Sequence, residues 1–394
     1  TDDLTKKTVK SLLAQIEPGP AKRILEIRQE LAKTSVKKYE AMWSAVCDDD
    51  RVRGLLQYYG ANRSGRWAGR LVQVQNLPRN YIDDLAQARK WVKRGSSAML
   101  ELVYGSVSDT LSQLIRTAFV PADDHIFLVA DFSAIEARVI AWLAGEEWRL
   151  EVFRTHGKIY EASASQMFHV PIDRIVKGNP EYALRQKGKI AELALGYQGA
   201  SGALMAMGAL DMGLEESELP GIVTRWRRAN PKIVGMWRAV EDAAKKVLRT
   251  GEPQTLHRVT IAREIDVVND QDFLTIQLPS GRKLYYVQPV LVEDKIKYHA
   301  IEQGKSNWGP VDTYGGKLVE NITQAIARDC LAVSLLRLAD RGYNVVFHVH
   351  DEAIVEAPTD GADIDEVCKI MGAPISWASG LPLRADGFSC EFYK

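Results

Sequence analysis

The feature that most constrains this chain is a pair of apolar segments, each ending in an aspartate. Ile126-Phe127-Leu128-Val129-Ala130 runs into Asp131, and Val345–Val349 runs into His350-Asp351-Glu352, more than two hundred residues later. A short unbroken apolar run bounded by polar residues reads as a buried strand, so each segment delivers a carboxylate at a strand end. The second continues through Ala353 into Ile354-Val355-Glu356, which predicts a hairpin carrying acids at its tip. Carboxylates paired in this way can hold two Mg²⁺ ions about 3.5–4 Å apart. Mg²⁺ takes hard oxygen ligands and retains waters, so few protein carboxylates suffice. Other readings of the same residues stay open at this point: Asp131 as a helix N-cap, Asp351 and Glu352 as turn residues. A metal-dependent phosphohydrolase needs several further histidines, and the seven in this chain show no obvious ligand spacing.

Between the two acids lies the segment from Arg185 to Tyr197. Arg185, Lys189, Leu193 and Tyr197 recur every four residues and so form one gently drifting row on a helix. Two cations at one end suit phosphates, with Arg offering a fork of donors and Lys a compact charge. The aromatic end suits a base or sugar. An amphipathic helix that merely packs Leu193 and Tyr197 into a core satisfies the spacing equally well.

At 394 residues the chain has room for two to three domains. Its apolar and charged fractions are those of a soluble globular protein. There is no apolar run of the ~18 residues a membrane span needs and no signal peptide. The four cysteines are far apart and read as reduced residues of a cytoplasmic protein. Zero net charge announces no nucleic-acid partner, but local clusters hint at one: Lys6, Lys7 and Lys10; Arg63, Arg66 and Arg70; Arg89, Lys90, Lys93 and Arg94; Arg225, Arg227 and Arg228. Each alone reads more readily as a solvated face than as a phosphate track. The first residue is Thr1 rather than Met, from which we expect a longer parent protein with an upstream domain.

Along the chain, the pattern predicts a short helix around Leu4–Ile16, a stop at Pro18-Gly19-Pro20, and a long helix from Ala21 to Val46. Short strands and loops are expected over Asp48–Pro78, then helix from Asp83 to Phe119 with breaks near Gly95 and Gly105. A mostly helical block follows over 134–250, strands over 255–300 with a turn at Ser280-Gly281, and a helix over Gly316–Arg341.

Taken together these segments resemble the family A DNA polymerases, the group of bacterial polymerase I and many phage replicative enzymes. Asp131-Phe132-Ser133-Ala134-Ile135-Glu136-Ala137-Arg138 resembles motif A, Arg185 to Tyr197 motif B, and His350-Asp351-Glu352 motif C. Gly65-Arg66 followed by Gln75-Asn76-Leu77-Pro78 resembles the segment before motif A. Tyr314-Gly315-Gly316-Lys317 through Gln324 resembles the phage branch of the segment before motif C. Five motifs in order cover nearly the whole chain.

The resemblance implies an α+β, right-hand architecture: an antiparallel-sheet palm, helical fingers and a truncated helical thumb. Its expected divisions are 1–47 for part of the thumb, 48–148 for the first part of the palm, 149–254 for the fingers, and 255–394 for the rest of the palm. It implies Asp131, Asp351 and the backbone carbonyl of Phe132 as ligands of two Mg²⁺ ions (Mn²⁺ being an alternative), with Glu352 in support. Glu136 would crowd a ribose 2′-OH. Arg185 and Lys189 would hold the triphosphate, Lys189 as candidate proton donor to pyrophosphate, while Tyr197 stacks near the nascent base pair. Arg66 and Gln324 would reach minor-groove acceptors, with Asn76 also on the DNA and His350 near the primer terminus. The partners implied are primer–template DNA and a deoxynucleoside triphosphate, for a monomer in a cytoplasm, the host's if the protein is phage-encoded.

This chain departs from the family pattern in places. Leu193 stands where an aromatic is usual, Tyr160 where bacterial members have histidine, Gln198 where glycine is usual, and Glu320 where asparagine is usual. No segment resembles a proofreading exonuclease. Two rival readings are a single-subunit RNA polymerase, against which Glu136 argues, and a catalytically silent nucleic-acid-binding module of the same fold.

Overall fold

The computed structural model describes residue 4 and residues 6–31, 34–302 and 307–394. The side chains of Lys6, Lys7 and Lys10, one of the basic clusters, lie outside the described residues. The chain opens with α1 (Lys6–Gln15), α2 (Pro20–Leu31) and α3 (Lys37–Ala45). The single helix expected from Ala21 to Val46 is therefore divided, with a 3₁₀ turn at Thr34–Val36 before α3. Ser and Thr side chains compete with helical backbone for hydrogen bonds; here the Ser35 hydroxyl bonds instead to that of Ser112 at 2.7 Å.

A hairpin of β1 (Leu56–Ala61) and β2 (Arg66–Gly69) precedes α4 (Leu85–Lys93), α5 (Ser97–Tyr104) and α6 (Val107–Leu114), broken at Gly95 and Gly105 as the sequence predicts. Next come β3 (His125–Phe132) and the helical block: α7 (Ile135–Ala144), α8 (Glu147–Arg154), α9 (Ile159–Phe168), α10 (Ala183–Leu195), α11 (Ser201–Ala206), α12 (Leu219–Ala229) and α13 (Pro231–Thr250). Six strands follow: β4 (Gln254–Leu256), β5 (Val259–Asp266), β6 (Gln271–Gln277), β7 (Lys283–Val292), β8 (Lys295–Ile301) and β9 (Trp308–Thr313). The chain ends with α14 (Gly315–Asp340), β10 (Asn344–Val349), β11 (Glu352–Pro358), α15 (Ile364–Met371) and β12 (Ala385–Cys390). Among the described residues no helix is long and apolar enough to cross a membrane.

Two sheets organise the molecule. One has four antiparallel strands in the order β10-β11-β3-β12. Its two faces explain the unbroken apolar runs. Leu128, Ala130 and Phe132 pack into the larger core with α7, α13 and α14, whereas Phe127, Val129, Val349 and Ile354 pack into a second core closed by Tyr393. The other is a six-stranded meander, β4 to β9 in sequence order. The turn expected at Ser280-Gly281 joins β6 to β7, with the Gly281 N–H donating to the Leu278 carbonyl at 2.9 Å. β9 lies beyond the stretch 255–300 over which alternation predicts strands, and it extends the sheet at the β8 edge. The meander is anchored from its turn: Arg282 donates to Asp329 of α14 at 2.8 Å and to the Ala325 carbonyl at 3.0 Å.

Close approach fixes the helices around α10. A Cβ at Gly188 would lie 2.2 Å from the Tyr160 carbonyl oxygen, so only glycine lets α10 sit this tightly on α9. Arg149 of α8 supports α10 from beneath, with both its side chain and that of Glu192 almost fully buried (2% and 3% exposed). The guanidinium donates to Glu192 Oε1 and Asn230 Oδ1, each at 2.9 Å, and forms a second, short contact with Glu192 Oε2. Trp226 Nε1–H adds a third donor to Glu192 at 3.0 Å.

Breaking a buried ion pair strands a charge, which costs about 3–5 kcal/mol. Arg149→Met should destabilise the fold by that order in urea titrations. Adding Glu192→Leu should lose less than the sum of the two single changes; additive losses would mean the charges are not coupled. The His348 ring meets Trp67 at 4.6 Å and is buried with no hydrogen-bond partner at Nδ1 among the described residues. Burial, aided by Arg328, lowers its pKa from 6.5 to about 4. Between those values acid protonates the unfolded state preferentially, so this residue's contribution to stability falls as pH drops from 6.5 to about 4. The loss is on the order of 3 kcal/mol over that window. His348→Phe should remove it, so the stability difference between variant and wild type should swing toward the variant as pH falls. A pH-independent difference would refute this.

Candidate active site

The two predicted strand ends meet. In the β3–β11 ladder Asp131 is the register partner of Glu352, and the Phe132 N–H donates to the Asp351 carbonyl at 3.3 Å. Asp131 lies between Glu352 and, on its other flank, Asp386 of β12. Asp131 is not a helix N-cap, because α7 starts only at Ile135 with Ala134 before it in a left-handed turn. His350, at φ 51°, makes the corresponding left-handed turn between β10 and β11 and so aims Asp351 back toward β3. Asp131, Phe132, Asp351 and Glu352 line one cavity of about 550 Å³.

The acids crowd each other. Partial removal from bulk water, reinforced by the negative charges of Glu352 and Asp351, pushes the Asp131 carboxyl up to about 7, although the group faces the open cavity. Burial also raises Asp351, against the opposing pull of Arg66. Burial raises Glu352, which accepts a hydrogen bond from the Tyr393 hydroxyl at 2.8 Å. Arg66 on β2 divides its guanidinium between Glu136 Oε1 at 2.8 Å and Asp351 Oδ1 at 3.4 Å.

The rim of the cavity comes from α7 and the end of α10. Glu136, in the first turn of α7, is held from two sides: by Arg66, and by the Tyr197 hydroxyl, which donates to Oε2 at 2.8 Å. Tyr197 lies two residues beyond the last residue of α10 rather than on the helix itself. It is fixed by the N-terminus of α14, where a Cβ at Gly316 would lie 2.5 Å from the Tyr197 carbonyl oxygen. Gln198 adopts a left-handed φ of 66° without being glycine; its side-chain oxygen accepts the Gly316 N–H at 2.9 Å, which offsets the strain.

The remaining predicted residues are spread around this centre. Tyr160, Leu193 and His350 line the same cavity. Arg185 and Lys189 do not: Arg185 donates to Glu161 at 2.7 Å and lies 5.4 Å from the Tyr160 ring, and Lys189 has no ion-pair partner among the described residues. Asn76 and Arg66 line a neighbouring cleft that shares His350 with the first, and Gln324 lines a third with Glu320.

Several cavity residues had no sequence signal. Arg79 lines the cavity as a lone arginine in a loop, and Arg116 reaches it while donating to the Pro78 and Leu77 carbonyls at 3.0 and 3.3 Å. Tyr393, Glu192 and Asp386 likewise join the site only through tertiary contacts.

The donor set suits a hard divalent cation. Asp131, Asp351 and the Phe132 carbonyl offer oxygen donors, and burial first, with neighbouring carboxylates second, raises both aspartates. Among the described residues there is no cluster of three or more His, Cys, Asp or Glu side chains spaced for a metal. Two carboxylates are a set for ions that keep waters and take further oxygens from a substrate.

Comparison with known proteins bears on the whole chain. A family model described as DNA polymerase family A matches residues 2–271. A DNA polymerase of Bacillus phage SP02 is 57% identical over 399 residues, covering 99% of this chain and 60% of that protein. DNA polymerase I of Bacillus subtilis is 27% identical over 275 residues, covering 69% of this chain and 26% of that protein. The chain thus spans less than two thirds of the length of these relatives. Among solved structures, the POL domain of Pol1 from M. smegmatis, in complex with DNA primer-template and dNTP, matches with a TM-score of 0.61 at 18% identity, over 98% of this chain and 56% of that one. The fold is the right-hand polymerase fold, and the chain belongs to the family A DNA polymerases.

Proposed function

We propose that this chain is a template-directed DNA polymerase that extends a primer 3′-OH with deoxynucleoside triphosphates and releases pyrophosphate. The observation that carries the reading is the convergence of Asp131 and Asp351 at the floor of a cavity whose rim holds Glu136 between Tyr197 and Arg66. On this reading residues 1–47 belong to the thumb, 48–148 and 255–394 to the palm, and 149–254 to the fingers.

Divalent metal use is general in family A. Asp131, Asp351 and the Phe132 carbonyl would hold two Mg²⁺ ions, which when bound lower the pKa of the primer hydroxyl and steady the triphosphate and leaving pyrophosphate. The protein's own part is positioning and electrostatics. Glu136 is fixed by two hydrogen bonds, so it cannot swing away from a ribose 2′-OH and excludes ribonucleotides by contact. Tyr197 is fixed by the same bond and offers its ring beside the nascent pair. Arg185 would exchange Glu161 for phosphate oxygens, and Lys189, with no competing acid, would meet the β- and γ-phosphates and supply a proton to pyrophosphate. Leu193 and Tyr160 would bound the sugar and phosphate side of the same pocket. Arg66, Asn76, Gln324 and His350 would contact the primer–template, and Glu352, held by Tyr393, would support Asp131.

Glu136 also separates this reading from an RNA polymerase of the same fold, because a carboxylate at the gate collides with ribose. Retention of both aspartates separates it from a silent DNA-binding module. Asp131→Ala should abolish primer extension while leaving primer–template binding within a few-fold of wild type. Extension that survives the change would overturn the catalytic assignment. Glu136→Ala should admit ribonucleotides, raising their incorporation relative to deoxynucleotides by at least roughly a hundredfold, the discrimination that a well-placed steric contact supplies. Chelation of divalent metal should stop extension, and Mg²⁺ should restore it.

A further inference from the structure

The two cations of α10 are not equally free. Lys189 has no ion-pair partner among the described residues, whereas Arg185, one turn further from the cavity-lining Leu193, is already engaged. Its Nε–H donates to Glu161 Oε1 at 2.7 Å. Glu161 stands in the first turn of α9, directly after Tyr160, which lines the catalytic cavity. The guanidinium lies 5.4 Å from the Tyr160 ring and 5.9 Å from the Tyr182 ring, so it is held in place as well as paired. A carboxylate in the first turn of a helix is favoured in its charged form by the helix dipole.

This acid travels with the arginine. Gly188, between Arg185 and Lys189, lies against the Tyr160 carbonyl, where a Cβ would come within 2.2 Å. The two helices are thus locked at the residue next to Glu161, and a shift of α10 carries Glu161 along. Only another anion can part the pair. The contact is also one-sided: the carboxylate takes Nε, while Nη1 and Nη2 have no acceptor among the described residues. That free edge offers a phosphate two donors. A phosphate docked there shares one cation with Glu161, and the two anions repel. Eight residues of helix separate Arg185 from Leu193, a rise of about 12 Å, so the part of a nucleotide that reaches Arg185 is its outermost phosphate.

We propose that Glu161 is a resident competitor for Arg185, which sets how tightly the triphosphate is held and takes the arginine back as pyrophosphate leaves. This rests on the polymerase reading above and adds to it a residue outside the motifs that carry that reading. An incoming nucleotide meets Lys189, which is free, and then displaces Glu161 with its last phosphate. The penalty of that displacement falls on ligands long enough to reach Arg185 and on no others. After bond formation the same carboxylate opposes retention of pyrophosphate, whose outer phosphate it replaces at the guanidinium.

The test is single-turnover primer extension across a dNTP series with Glu161→Gln, which keeps the shape of the side chain and loses its charge, and with Glu161→Ala. In both, the dNTP concentration giving half the maximal rate should fall roughly three- to tenfold, the range for loss of a partly exposed charged competitor. Inorganic pyrophosphate should inhibit both variants at a concentration lower by a similar factor. A deoxynucleoside diphosphate, used as a competitive inhibitor, should bind them as it binds wild type. Because Glu161 acts through Arg185, adding either change to Arg185→Gln should give no gain. A half-saturating concentration that stays put or rises in both variants overturns the proposal, since removing a carboxylate that merely orients Arg185 would weaken binding. So does a gain that extends to the diphosphate or survives in the Arg185→Gln background. The polymerase reading is judged separately, by primer extension with wild type and Asp131→Ala.

Discussion

Everything at the site depends on the backbone pairing of β11 with β3. Seven successive residue pairs, from Glu352 opposite Asp131 to Pro358 opposite His125, unite segments that are more than two hundred residues apart in the chain. Side chains alternate across a strand, so a slip of one residue would turn Asp131 into the apolar core that holds Leu128 and Ala130. Burial of those residues on one face, and of Val129 and Ile354 on the other, is what forbids the slip. The bulge between Val345 and Phe347 lies on the outer strand β10, where it bends the hairpin without disturbing the β3–β11 register.

The parts of this arrangement that could be read from the sequence are local or periodic. The apolar runs before Asp131 and Asp351, the glycine breaks at Gly95 and Gly105, and the uninterrupted helix of α14 each follow from a rule that acts over a few residues. What could not be read depends on pairings between distant side chains. Nothing in a window around Glu192 announces Arg149, forty-three residues earlier, nor does the stretch around Glu352 announce Tyr393. The four-residue row from Arg185 to Tyr197 was half right for a physical reason. The helix ends at Leu195, so Tyr197 leaves the row and turns toward Glu136, while Arg185 at the other end is drawn to Glu161.

The meander shows how far attachment can matter beyond pattern. Its alternation predicted strands, but the alternation is silent about which way the sheet faces. That is fixed by Arg282, whose guanidinium bridges Asp329 and the Ala325 carbonyl while stacking 5.5 Å from the Tyr59 ring. One turn residue thereby fastens the sheet to α14 and to the β1–β2 hairpin at once, the same two elements that contribute Gln324 and Arg66.

The charge distribution ties these pieces to function. Asp131, Asp351, Glu352 and Glu136 lie around one cavity, and Arg66 is shared between Glu136 and Asp351. A folded protein gains nothing by gathering carboxylates in partly dry surroundings; burial first, and the charges of Glu352 and Asp351 second, raise the pKa of Asp131. Such a site is stabilised by whatever brings positive charge to it, so on the proposed reading the same imbalance draws in divalent cations. Arg66 then serves two opposing demands. It tempers the repulsion among the acids, and its bond to Glu136 holds that carboxylate in position. Both bonds leave one nitrogen, Nη2, so the two carboxylates are drawn toward a single point of the guanidinium, and removing that one group would free Glu136 and Asp351 together.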